Sequence, residues 1–189
     1  SNDLAFAGSI NEAMLGRISD LAHYARTTGA NGILFTCSSF GPAIDAAKQT
    51  LDIPILKPNE AMFDEALAMC SQMAKPSRIG LVATFAPATA PMKLELEAEA
   101  KTLGIEVVVE VVLAQGAIAA LNGGDPQTHD SLVLKAAQTL THCDVILLAQ
   151  FSMARAQPLV AAALQKPVLS SPQSAVRKLK SALQKINQS

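Results

Sequence analysis

Short apolar runs alternate along this chain with segments in which apolar residues recur at helical spacing. The runs 33–35, 78–84, 105–113 and 145–148 are rich in valine, isoleucine and leucine, as expected of strands that are covered on both faces. Strands separated by helices are joined by crossover connections, which make neighbouring strands parallel. The sequence therefore predicts an α/β fold made of parallel sheets.

The helical segments carry recognisable start and stop signals. A capping-box pattern at Ser9–Glu12 predicts the first helix, and Gly29 is expected to end it. The apolar residues Met62, Ala66, Met69 and Met73 recur at helical spacing and are interpreted as core packing. Further helices are expected over 42–49, 59–73, 90–103, 115–121, 126–140, 154–164 and 172–186.

The chain contains an internal repeat. Residues 33–40 align with residues 146–153, and residues 54–56 align with residues 167–169, both at an offset of 113. Any two buried strands can resemble each other by chance, because both are apolar. An offset that is the same for two separate elements is harder to obtain by chance. We therefore expect two similar α/β halves, with Cys37 and Gln150 at equivalent positions.

The repeat also suggests a domain organisation. We expect a first α/β half over 1–76, a second over 77–171, and a carboxyl-terminal helix over 172–189 that packs back on the first half. The strand at 79–84 and the helix at 90–103 have no counterpart before Cys37. The first half is thus expected to lack its opening βα unit, either as a fragment or through loss.

The amino-acid composition excludes several classes of protein. Half of the 189 residues are hydrophobic, 16% are charged, and the formal net charge is −1. This balance is typical of a globular enzyme, not of a disordered chain, and it predicts no nucleic-acid partner. No apolar stretch approaches the ~18 residues of a membrane span, so no membrane partner is expected. Three widely spaced cysteines favour reduced thiols and a cytoplasmic location.

Cofactor and metal motifs are missing from the sequence. There is no GxGxxG or Walker pattern, and the glycine pair at 123–124 is typical of a turn. No CxxC or HxxxH motif occurs, and His142-Cys143 together with His129 lacks ligand spacing. We therefore predict neither a cofactor nor a metal.

The stretch Gly32-Ile-Leu-Phe-Thr-Cys-Ser-Ser-Phe-Gly-Pro42 is the candidate functional motif. It places the thiol of Cys37 just past the carboxyl end of a strand and before a helix near Pro42. Open α/β folds bind ligands at that edge, and the helix dipole favours an anion there. A free cysteine is also among the most commonly buried residue types, so packing alone is an alternative.

Three motifs resemble the cofactor-independent aspartate/glutamate/hydantoin racemase superfamily. The stretch around Cys37 is similar to the first cysteine motif of that family, and residues 78–84 are similar to the strand and threonine that open its second half. Residues 148–154, Leu-Ala-Gln-Phe-Ser-Met-Ala, resemble its second cysteine motif. The resemblance implies two pseudosymmetric halves with the active site between them. It also implies that one cysteine thiolate removes an α-proton while the other thiol returns one to the opposite face.

Gln150 stands where the family has its second cysteine. Glutamine donates and accepts hydrogen bonds but cannot exchange a proton near neutral pH, and Cys143 lies before the strand. The candidate catalytic residues are therefore Cys37 and Gln150. Hydroxyl and aromatic residues beside them are the expected substrate-binding residues: Thr36, Ser38, Ser39, Thr84, Phe85, Phe151 and Ser152.

Three functions remain open on this reading. The first is proton transfer at the carbon α to a carboxylate, on an amino acid or a related small acid, with Cys37 as acid and base. The second is a single-cysteine decarboxylase or isomerase of the same superfamily, and the third is a non-catalytic protein that binds a small carboxylate. An uncovered strand edge in the first half is compatible with a homo-oligomer.

Overall fold

The computed structural model describes residues 11–37, 40–73 and 76–186 and has the α/β fold that the sequence predicts. All strand pairs within these residues are parallel. The helices are α1 (Glu12–Thr27), α2 (Gly41–Lys48), α3 (Glu60–Cys70), α4 (Thr89–Thr102), α5 (Ala117–Asn122), α6 (Pro126–Gln138), α7 (Gln157–Leu164) and α8 (Ser171–Ile186). The strands are β1 (Ile33–Leu34), β2 (Ile55–Leu56), β3 (Ser77–Ala83), β4 (Val107–Leu113), β5 (Val145–Leu148) and β6 (Val168–Ser170).

The chain divides into two compact units, one of residues 1–61 with 173–189 and one of residues 62–172. We call them unit 1 and unit 2. The boundary expected at 76/77 thus lies at 61/62. The reason is that the apolar side chains of Met62, Phe63 and Leu67 are fully buried in the core of unit 2. The carboxyl-terminal helix groups with the amino-terminal residues.

Unit 2 is built on a four-stranded parallel sheet in the order β4-β3-β5-β6. Alternate residues of the strands enter cores on opposite faces. Leu81 and Leu147 pack with α3 and α4 on one face, whereas Val82 and Ile146 pack with α6 and α7 on the other. Because both faces of the sheet are covered, these strands are apolar at successive positions and not only at alternate ones.

Unit 1 contains the two-stranded parallel sheet β1-β2. Its core joins Ile18 and Ala22 of α1 to Ile44 of α2. Gly32 permits close packing of α8, because a Cβ atom there would lie 3.0 Å from Leu179 Cδ1. The absence of a side chain at this position therefore brings α8 onto the start of β1.

The strand registers confirm the internal repeat. Ile33 pairs with Ile55 in unit 1, and Ile146 pairs with Val168 in unit 2, so both partners are shifted by 113. The hydrogen bond from Ile33 N–H to the Pro54 carbonyl, at 2.8 Å, has its counterpart between Ile146 and Pro167 at 3.0 Å. Cys37 and Gln150, related by the same offset, thus follow equivalent strands.

Three local predictions were inaccurate. The helix expected over 154–164 begins at Gln157 and follows a 3₁₀ segment, Phe151–Ala156. Met69 is 38% exposed because the buried stripe of α3 runs through Phe63, Leu67 and Cys70 instead, and Met73 is 36% exposed because it lies beyond the end of the helix at Cys70. Asn11 caps α1 by accepting a hydrogen bond from Met14 N–H, and Ser9 of the expected capping box lies outside the described residues.

Among the described residues, no helix is both long and apolar enough to cross a membrane.

Candidate functional site

Thr84 and Gln150 are brought together at the carboxyl edge of the unit 2 sheet. Strands β3 and β5 are parallel neighbours, and Val82 pairs with Leu148. Two residues further along, the Thr84 N–H donates a hydrogen bond to Gln150 Oε1 at 2.8 Å. The Thr84 hydroxyl lies 3.4 Å from the same oxygen. The parallel register therefore places the two candidate residues side by side, as ligand-binding residues are in open α/β sheets.

The Thr84 bond fixes the orientation of the Gln150 amide. A backbone N–H needs an acceptor, so the amide oxygen must face Thr84 and the nitrogen must face away. Gln150 Nε2 is buried and has no hydrogen-bond partner among the described residues. Nε2 is therefore the atom of Gln150 through which the side chain can donate a hydrogen bond to another group.

Cys37 lies at the matching edge of unit 1. It follows β1 by three residues and precedes α2, which begins at Gly41 and has Pro42 in its first turn. The residue is half-buried, whereas Cys70 is 2% exposed and Cys143 is fully buried. Cys37 is thus the most accessible of the three thiols.

A buried carboxylate holds the elements around that edge together. Glu60, at the start of α3, accepts hydrogen bonds from Lys48 Nζ of α2 at 2.5 Å and from Lys178 Nζ of α8 at 2.9 Å. The N–H of Lys57, the residue after β2, also donates to it at 3.0 Å. Burial raises the pKa of the Glu60 carboxyl, but these donors outweigh burial and hold the pKa below its ordinary value.

The other predicted site residues lie next to these two positions in the chain. Thr36 is exposed, and Thr84 is buried. Phe85, Phe151 and Ser152 are half-buried, and Phe85 packs against the α3 and α4 core. Ser38 and Ser39 lie outside the described residues.

The comparison with family models decides the family. Residues 8–179 match the model of the Asp/Glu/hydantoin racemase family. The chain belongs to this family. The family predicted from the sequence is thereby confirmed, while the roles of individual residues remain predictions.

Solved structures of two racemases and a decarboxylase share the fold. Glutamate racemase from Campylobacter jejuni subsp. jejuni superposes with a TM-score of 0.69 at 14% identity, over 92% of this chain and 70% of that one. Arylmalonate decarboxylase gives 0.63 at 15% identity, over 89% and 74%. Allantoin racemase from Klebsiella pneumoniae gives 0.59 at 19% identity, over 88% and 64%. A comparison with curated protein sequences gives no match.

Two clusters of polar side chains were not predicted from the sequence: Glu60 with its lysine partners, and Glu110 with His142 and Cys143. The partners of Glu60 are distant in sequence, and Lys178 follows it by 118 residues. Glu110 also approaches His142 and Cys143, whereas His129 instead bonds Asp130 through Nδ1 at 2.8 Å. A signal for the second group was present, because Glu110 is the only charged residue of the valine-rich strand β4.

We expect Glu60→Gln to lower the free energy of unfolding by about 1–3 kcal/mol at neutral pH, because a partly buried ionic network loses its charge. The folded-state pKa of Glu60 lies below the ordinary 4.5. Its contribution to stability is therefore present above that ordinary value and is lost as the pH falls through the folded-state pKa. Urea unfolding across the acid range measures both effects.

Glu97→Gln is the matched control for that substitution. The Glu97 carboxylate lies 3.7 Å from Lys93 Nζ on the surface of α4, where such pairs contribute little. Equal losses in the two variants, or an unchanged acid dependence in Glu60→Gln, would contradict the assigned role of Glu60.

We expect iodoacetamide to label Cys37 at least about tenfold faster than Cys70 or Cys143 in the native protein, because thiolate formation and access control alkylation. Burial raises the pKa of the Cys70 and Cys143 thiols. Mass spectrometry of peptides after timed labelling gives the three rates. Comparable rates at neutral pH would show that Cys37 is not a distinct thiol.

Proposed function

We propose that this family member catalyses cofactor-independent proton transfer at the carbon α to a carboxylate. The substrate class is an amino acid or a related small acid. The thiol of Cys37 is the acid and base of the reaction. What carries the proposal is the family match over 8–179, together with a half-buried thiol between the end of β1 and the start of α2.

In this proposal Gln150 binds and does not exchange protons. Its oxygen accepts from Thr84, so its Nε2 is the group that can donate to a substrate oxygen. Removing an α-proton develops negative charge on the substrate carboxylate, and oriented donors stabilise such charge. We therefore assign Gln150 the role of a donor to that carboxylate.

The proposed substrate-binding residues flank these two positions. Thr36, Ser38 and Ser39 adjoin Cys37, and their hydroxyls supply further donors. Thr84 holds the Gln150 amide in place. Phe85 leads into the 3₁₀ segment Ala86–Ala88, and Phe151 and Ser152 open the 3₁₀ segment after Gln150. The aromatic rings offer apolar surface to the substrate side chain.

A single-cysteine decarboxylase or isomerase is a second candidate function. A lone proton-exchanging thiol favours it, because protonation of a carbanion from one side needs one acid only. The fold likeness to arylmalonate decarboxylase is compatible with this reaction class. A non-catalytic small-carboxylate binder is the third candidate, and the substitution of glutamine for a thiol at position 150 favours it.

Deuterium exchange tests the proposal. The protein is incubated in D₂O with amino acids, hydantoins and substituted malonates, and loss of the α-proton signal is followed by NMR. Proton transfer at an amino acid or hydantoin supports the proposal, and release of CO₂ from a malonate supports the decarboxylase instead. Binding without exchange of any compound would leave only the binding protein.

A further inference from the structure

Three side chains of metal-ligand type converge in unit 2 away from the carboxyl edge of its sheet. The ligating atoms of Glu110, His142 and Cys143 all lie within 4.8 Å of one another. Glu110 pairs with Gly80 on β3, four residues before Thr84. At about 3.3 Å per residue this level is roughly 13 Å from the Thr84–Gln150 edge. The cluster is therefore separate from the proposed catalytic residues.

We propose that Glu110, His142 and Cys143 form a binding site for Zn²⁺ or a similar divalent transition-metal ion. Carboxylate oxygen, imidazole nitrogen and thiolate sulfur are the ligands that Zn²⁺ takes in proteins. In a tetrahedral site with ordinary bond lengths, these ligand atoms lie about 3.4–3.6 Å apart. The observed separations need only small side-chain movements to reach that arrangement.

The hydrogen bond between His142 and Glu110 marks where the ion would lie. His142 Nε2 is 2.9 Å from both carboxylate oxygens of Glu110. A metal ion takes the place of the proton between an imidazole and a carboxylate while keeping the same two partners. The Cys143 thiol completes three ligands when its proton passes to solvent as the metal binds. The thiolate and carboxylate then balance the charge of a divalent ion.

Neighbouring groups hold the ligands in position. Arg78 Nη2 donates to Glu110 Oε1 at 2.5 Å, which leaves Oε2 available to an ion. Lys166 Nζ donates to the carbonyls of Thr141 and Cys143, so the backbone is fastened on both sides of His142. Partners of this kind orient ligands in metal sites and raise affinity.

The cluster is also accessible. The side chains of His142 and Glu110 are 47% and 32% exposed, so an ion can enter from solvent, while Cys143 is buried beneath them. A bound ion would link β4 to the segment before β5. Strands β4 and β5 lie on the two sides of β3. The ion would thereby cross-link the two strands that lie on either side of β3.

Cobalt titration of the reduced full chain tests the site. The background variant is Cys37→Ala, which removes the accessible thiol outside the cluster. One equivalent of Co²⁺ should produce a thiolate-to-cobalt charge-transfer band and intense tetrahedral d–d bands, and Zn²⁺ should displace both. We expect His142→Ala and Glu110→Gln to weaken Co²⁺ binding by about tenfold or more, and Arg78→Ala by about tenfold.

Cysteine variants identify the sulfur ligand. Cys143→Ser should lose the charge-transfer band, whereas Cys70→Ala should retain it. If Cys143→Ser fails to fold by circular dichroism, His142→Ala, which alters an exposed side chain, decides the question. The proposal would be overturned if the folded Cys37→Ala background protein showed no charge-transfer band with Co²⁺. It would also be overturned if the His142→Ala variant bound Co²⁺ as tightly as that background protein.

Discussion

Replacing Cys37 by alanine is expected to slow α-proton exchange by about 10²- to 10⁴-fold, the contribution typical of a positioned acid or base. Cys37 is half-buried at the carboxyl edge of β1, while the other two thiols are enclosed in unit 2. Neither of them can replace it without local unfolding. Exchange in D₂O, measured on the substrate found in the screen, gives the ratio of rates.

The matched control is Cys70→Ala. Cys70 lies in the core of unit 2, so this change removes a thiol of similar size and leaves the Cys37 edge intact. We expect it to keep the exchange rate of the unaltered protein. An active Cys37→Ala, with both variants folded, would remove Cys37 from the chemistry.

Replacing Gln150 by cysteine is expected to raise inversion of the α-carbon relative to exchange by about 10²-fold, since it supplies an acid that can work near neutral pH. In the mechanism that the family resemblance implies, the second thiol returns a proton to the opposite face. The variant would restore that thiol at the position equivalent to Cys37. Chiral chromatography measures inversion, and NMR measures exchange.

Gln150→Ser is the control for the second thiol. Both substitutions remove the acceptor of the buried Thr84 N–H, so both lose stability through that unpaired group. Only the cysteine exchanges a proton near neutral pH. A similar rise in both variants would show that the effect comes from the lost amide and not from the thiol.

The sequence predicted those features that depend on local patterns. Apolar runs gave the strands, and the offset of 113 gave the equivalence of Cys37 and Gln150, which the paired registers of β1-β2 and β5-β6 confirm. Local spacing was less informative about burial within a helix. The methionine pattern over 62–73 predicted that Met69 and Met73 lie in the core, but both side chains are exposed.

Hydrogen bonds between residues distant in sequence could not be predicted from local sequence patterns. The bond between Thr84 and Gln150 spans 66 residues and exists because β3 happens to pair with β5. Glu110 and His142 are 32 residues apart and meet across the same sheet. Strand order decides such contacts, and a sequence pattern does not determine strand order. The side chains could be proposed singly, but their pairing could not.

We propose that one thiol, Cys37, exchanges the α-proton while Gln150 only donates a hydrogen bond. The most direct test measures deuterium incorporation and stereochemical inversion together, in one reaction of the unaltered protein with a single enantiomer of its substrate. We expect deuterium incorporation to be faster than inversion, because the proton is returned by the same thiol or by water. Inversion that keeps pace with incorporation from the first turnovers, or no incorporation into any small acid, would contradict it.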